Sequence, residues 1–260
     1  MPVTISRALG LGSVNSAYVG TFNGTTIKAM IGVLAILLPV VEVILTSTWV
    51  RSISASYWFG IPFHPEDPNA CHLPDTGHPW LMLVDWPRIY LVGTLLAISA
   101  LLLSYRGETM LQGVLARVGA IAAAGVALFP CNCDCYTELV PHLHYGSAGV
   151  VYTVLFYFVA HFYFKASRKA AGSYTTGRPA NSPPAWTSNA ARRKHVYAFC
   201  LAGMIGSVLI LATSKHLPDS MRPVLVGEAG GLLFFGLAWL TASRVAPIFT
   251  SAGIDRERIF

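Results

Sequence analysis

The stretch Ile31-Gly-Val-Leu-Ala-Ile-Leu-Leu-Pro-Val-Val-Glu-Val-Ile-Leu45 holds one ionisable side chain, Glu42, in fifteen residues. With its flanks it makes an apolar run from about Ile27 to Thr48, and a membrane span needs about 20 such residues. Five further runs of this kind follow, at about Arg88–Tyr105, Leu111–Pro130, His142–Phe164, Val196–Ser214 and Pro223–Ala242. The composition agrees: of 260 residues, 54% are hydrophobic and 12% charged, about half the charge of a soluble domain. The mean hydropathy is +0.55. These values exclude a soluble enzyme, a disordered chain and a nucleic-acid-binding module. They predict an all-α polytopic membrane protein, a bundle of six transmembrane helices.

The charges orient it. With the N-terminus inside, 14 of the 18 Lys and Arg residues fall on the inner side, leaving Arg51, Arg88, Lys215 and Arg222 outside. Positive loops stay in the cytoplasm, so the topology is N-in, C-in, and the net charge of +6 requires no polyanion partner. The domain plan is a polar cytoplasmic N-terminus (1–26), a membrane domain (27–243) and a cytoplasmic tail (244–260). The first 26 residues lack the compact apolar run of a cleavable signal, so the first span reads as a permanent anchor. Spans two and three, joined at Arg106-Gly107-Glu108, form a helical hairpin. An inner loop, 165–195, with the irregular centre GRPANSPPAW, separates four spans from two.

The unusual residues gather on the outer side. The outer loop 49–87 is dense in aromatics and prolines and carries three His and Cys71. Long loops of this kind are often functional, and this one is also a candidate docking surface for a protein partner. Glu42 and Glu228 each lie on the order of 9 Å below the outer edge at 1.5 Å rise per residue. Carboxylates at that depth mark a site or a structural pair. Arg88 opens the second span on the same side, within reach of one of them. Glu42, Ser54, Arg88, His142, His144 and Glu228 are therefore the candidate pocket residues.

Cys131-Asn-Cys-Asp-Cys135 and Pro141-His-Leu-His144 share one short outer loop. Two chemistries are open there. Cys71, Cys131, Cys133 and Cys135 are even in number and face an oxidising side, which suits disulfides. Imidazole and thiolate also suit zinc or copper, with His142, His144, Glu228 and Asp134 (or Asp85) as ligands. Haem fits poorly, because His161 sits about 100° around the helix from both His142 and His144. No G-x-S-x-G elbow, Walker loop or GxGxxG run occurs. Cys200, within the fifth span, reads as a packing residue.

Several of these segments recur together. They are Ser52-Ile-Ser-Ala-Ser-Tyr57, Tyr105-Arg-Gly107, Gly125-Val-Ala-Leu-Phe-Pro130, the His at the mouth of the fourth span, Gly227-Glu228 and Phe235-Gly-Leu-Ala-Trp-Leu240. In this order the chain resembles the bacterial six-span proteins of the DUF998 type and, more remotely, the Frag1/DRAM/Sfk1 group. The resemblance implies six helices, an outward polar cluster, a place in the bacterial inner membrane, and a role in lipid remodelling, lipid distribution or membrane signalling. The expected function is binding or sensing of a membrane lipid or other amphiphile in an outward-facing pocket. Two alternatives stand beside it: a zinc-dependent hydrolase of a lipid-like substrate, and a structural subunit of a membrane complex.

Overall fold

The computed structural model describes residues 24–46, 51–58, 86–132, 140–175 and 189–244. They form six long helices: α1 (Gly24–Thr46), α2 (Trp86–Ser104), α3 (Met110–Leu128), α4 (Leu143–Thr175), α5 (Asn189–Thr213) and α6 (Pro223–Ser243). All six are long and apolar enough to cross a membrane, so the chain is an integral membrane protein. Each helix packs on its neighbour in sequence, and α6 closes the ring against α1. A one-turn 3-10 helix, Ser54–Trp58, sits at the outer end against α2.

Hydropathy locates where the membrane ends, and the helices pass that point. Residues 165–175 and 189–195, read from sequence as parts of the inner loop, belong to α4 and α5. Lys and Arg end an apolar run without ending a helix, because they are good helix formers and their stems lie along its side. At 33 residues α4 is about 50 Å long, well beyond the roughly 30 Å hydrocarbon layer. The centre of that loop, 176–188, lies outside the described residues.

The bundle is apolar on both faces. Every helix shows large exposed apolar side chains, among them Ile44, Leu103, Ile121, Phe164, Leu209 and Leu233. The interior is filled around Trp239, which is 0% exposed. Its ring centroid lies 5.4 Å from those of Tyr105, Phe158 and Phe235, and 5.9 Å from that of Phe162. Such pairs add about 0.5–1.5 kcal/mol each beyond burial. Helix association in lipid relies on packing of this kind, because lipid tails are as apolar as the helix faces.

The α1–α6 contact depends on two glycines. A Cβ at Gly236 would lie 2.6 Å from Ile36 Cγ1 and 2.7 Å from the Gly32 carbonyl oxygen. Backbone meets backbone there, and no side chain fits between.

The α2–α3 hairpin closes at the inner end. Thr109 Oγ1 caps α3 by accepting from Gln112 N at 3.3 Å, and Gln112 Oε1 accepts from Glu108 N at 2.8 Å. The exchange resembles a capping box, with the return bond shifted by one residue. Glu108 accepts from Lys165 Nζ at 2.6 Å, joining the hairpin to α4. Burial alone would raise the Glu108 carboxyl, but the Lys165 ammonium, with Lys28 and His161, holds it below the ordinary value. Burial, assisted by the Glu108 charge, pushes the Tyr105 phenol up to about 12.

Two outcomes follow from this packing. Gly236→Val should lower stability in detergent by about 1–3 kcal/mol, the usual result of overpacking. Gly206→Ala, where an added Cβ meets nothing within 4 Å, should be neutral or stabilising in the same thermal melts. For the ion pair, a depressed carboxylate pKa stabilises above the unfolded value and is lost as pH falls through the folded one. The stability gap between the wild type and Glu108→Gln should therefore close below about pH 4. It should not exceed about 1 kcal/mol, since both side chains are more than a third exposed.

Candidate functional site

At the outer end a short turn is tied down onto the bundle. Ser52 Oγ accepts from Ala55 N at 3.0 Å and so starts the Ser54–Trp58 turn. Ile53 N donates to Glu228 Oε2 at 2.6 Å, and Ser54 Oγ donates to Glu228 Oε1 at 3.1 Å. Leu225 N, one of the donors that the first turn of α6 leaves open, donates to the Arg51 carbonyl at 3.0 Å. Trp58 Nε1 donates to the Cys131 carbonyl at 2.8 Å, which ties the turn to the end of α3. Ile53 is 3% exposed and packs among Leu38, Leu91, Leu95 and Ala127. Of the six candidate pocket residues, Ser54 and Glu228 are thus in direct contact.

Glu42 lies in the same outer half of the bundle, in different circumstances. It is 1% exposed, and neither carboxyl oxygen has a hydrogen-bond partner among the described residues. Its backbone carbonyl is engaged by Thr46 Oγ1 at 2.6 Å. The Ser56 hydroxyl is the side chain beside it, out of hydrogen-bond geometry, and Ser56 is itself fully buried and unpartnered. Tyr90 of α2 lies within electrostatic range. Pro39, three residues before Glu42, has no N–H to offer the Ala35 carbonyl and loosens α1 on the approach to this point. A buried polar atom left without a partner costs about 1–3 kcal/mol, more when charged, so two on one carboxyl call for a ligand, a proton or water.

The remaining candidates separate. Arg88, half-buried in the first turn of α2, is not the partner of either carboxylate: Glu228 is taken by the turn, and no side chain holds Glu42. His142 is exposed and carries a φ of 62° at the head of α4. His144 is 3% exposed and shares its Nδ1 with the Phe129 carbonyl at 2.7 Å. Two residues apart at a helix start, the two imidazoles occupy different surroundings. Among the described residues no three His, Cys, Asp or Glu side chains come together as a metal site. Asp85, Asp134, Cys71, Cys133 and Cys135 lie outside those residues; Cys131 is buried at 3% exposure. Cys200, at 0%, packs in the core as expected.

Sequence reasoning missed Ser56, Tyr90 and the Trp58–Cys131 tie. Only Ser56 carried a signal, as the last serine of the Ser52–Ser56 run. No protein-family model, curated protein or solved structure matches the chain.

Replacing Glu228 by Leu strips two donors of their acceptor. Hydrogen exchange across residues 51–58, read by mass spectrometry, should accelerate about 10- to 100-fold, matching the roughly 1.5–3 kcal/mol of a hydrogen bond to a charged group. Glu228→Gln, which keeps an acceptor oxygen, should lose less. Unchanged exchange in Glu228→Leu would show that the turn is held by packing alone.

Proposed function

We propose that this integral membrane protein binds an amphiphile at its outer end, with Glu42 receiving the polar head. The observation that carries the reading is a fully buried carboxyl with two open oxygens, beside a fully buried and equally open hydroxyl at Ser56. A carboxylate accepts only, and a hydroxyl both donates and accepts. The pair fits a head that is chiefly a donor, such as a primary amine or an ammonium with a neighbouring oxygen. A cationic head would also offset the cost of holding a carboxylate within the membrane. Exposed Val40, Val43 and Ile44 on α1 offer an apolar surface for the chain of such a molecule. The turn bonded to Glu228 forms the roof, and its position fixes Ser56 against Glu42.

Binding or sensing, with no bond made or broken, is the reading this geometry supports. Membership in the DUF998-type group, residence in a bacterial inner membrane and an outward-facing mouth belong to the same proposal.

Native mass spectrometry of the detergent-purified protein tests it, with phosphatidylethanolamine and phosphatidylglycerol as probes. The wild type should retain the amine-headed lipid, and Glu42→Gln should lose about tenfold or more of that affinity at unchanged melting temperature. Equal retention by Glu42→Gln would refute the assignment of Glu42 as the head-group acceptor.

A further inference from the structure

The opposite end of the bundle carries the complementary chemistry. Lys28 lies near the start of α1, half-buried, with its Nζ 5.8 Å from the Tyr105 ring centroid and 5.7 Å from that of Phe162. Among the described residues no carboxylate comes within ion-pair distance of it. Glu108, the acid in its electrostatic range, is already bonded to Lys165. Arg244 at the end of α6 adds positive charge near Lys28, and Arg168 of α4 does so near His161.

Two buried donors in the same region are also open. Trp239 Nε1 has no partner and is 0% exposed; its ring packs on both Tyr105 and Phe162, the two rings that flank Lys28. Gln112 Nε2 has no partner and is 1% exposed, while its other amide atom holds Glu108 N. Lys28, Trp239 and Gln112 Nε2 can only donate, His161 Nε2 and Ser167 Oγ of α4 are also unmet and can do either, and Glu108, the acid among them, is occupied. Ordinary topology charges explain cations in the inner loops. They do not explain an ammonium held over two rings inside a helix, beside two buried donors with nothing to bind.

We propose that this inner mouth, between α1, α4, α6 and the α2–α3 hairpin, is a binding site for a phosphate anion, with Lys28 as its principal contact. The anion is either the headgroup of an acidic phospholipid in the inner leaflet or free inorganic phosphate. A phosphate brings acceptors only and fits ammonium and amide donors in a low-dielectric setting. The site rests on none of the outer-end residues and stands or falls independently of Glu42.

Native mass spectrometry of the full-length protein in non-ionic detergent decides it, with phosphatidylglycerol, phosphatidylcholine and inorganic phosphate as probes. Both lipids carry a phosphate, but phosphatidylglycerol should bind at least about tenfold tighter than phosphatidylcholine, because the choline cation is repelled by Lys28, Lys165 and Arg244. Lys28→Met keeps the stem and removes the charge, and should cost about tenfold or more in that affinity. Lys28→Arg should retain it. Glu108→Gln removes the competing acid and releases Lys165, and should tighten binding. Displacement of the lipid by millimolar inorganic phosphate would assign the site to the free ion, and no displacement would assign it to the lipid. Equal affinity for the two lipids, or wild-type binding by Lys28→Met, would overturn the proposal. Should Lys28→Met prove unstable, Glu108→Gln decides alone, and no gain in affinity there overturns it.

Discussion

A carboxylate inside a membrane must find donors, and Glu228 finds them in the outer turn. Its two oxygens take the Ile53 amide and the Ser54 hydroxyl, residues about 175 positions away in the chain. The outer end of the bundle depends on this pair of bonds. They pull Ile53 into the apolar cluster with Leu38, Leu91 and Leu95. They set Trp58 against the Cys131 carbonyl and bury Ser56 beside Glu42. Without them the turn would lose its hold on α6, and Ser56 would no longer be fixed beside Glu42.

Buried polar groups without partners lie toward both ends of the bundle. At the outer end the unmet groups are the two oxygens of Glu42 and the Ser56 hydroxyl; at the inner end they include the Gln112 amide nitrogen and the Trp239 indole nitrogen. Above the inner groups, the Trp239 ring packs on Tyr105, Phe158 and Phe235.

The six spans were legible because a membrane imposes one length and one composition on each of them. Ile31–Leu45 alone showed it. The ends of α4 and α5 were not legible, since Lys165, Arg168 and Lys194 stop the apolar run but not the helix. Depth below the outer edge drew attention to Glu42 and Glu228, of which the first is buried and the second bonded to the turn. The donors to Glu228 were hidden because spacing in sequence carries no information about a contact between residues 53 and 228. The His-x-His at 142–144 pointed toward a joint role, and the start of α4 parts it: positive φ leaves His142 exposed, while His144 turns inward to the Phe129 carbonyl. The Cys-x-Cys-x-Cys run is the richest sequence signal that the fold does not absorb, with only Cys131 among the described residues.

On the proposal above, Glu42 accepts from a ligand and has no partner of its own among the described residues, and Glu228 is a structural tie. Treatment of the protein in membranes with the apolar reagent dicyclohexylcarbodiimide, followed by peptide mass spectrometry, tests both halves at once. Modification is expected at Glu42, with protection by added phosphatidylethanolamine, and little reaction at Glu228. Modification at Glu228 with Glu42 spared would contradict it.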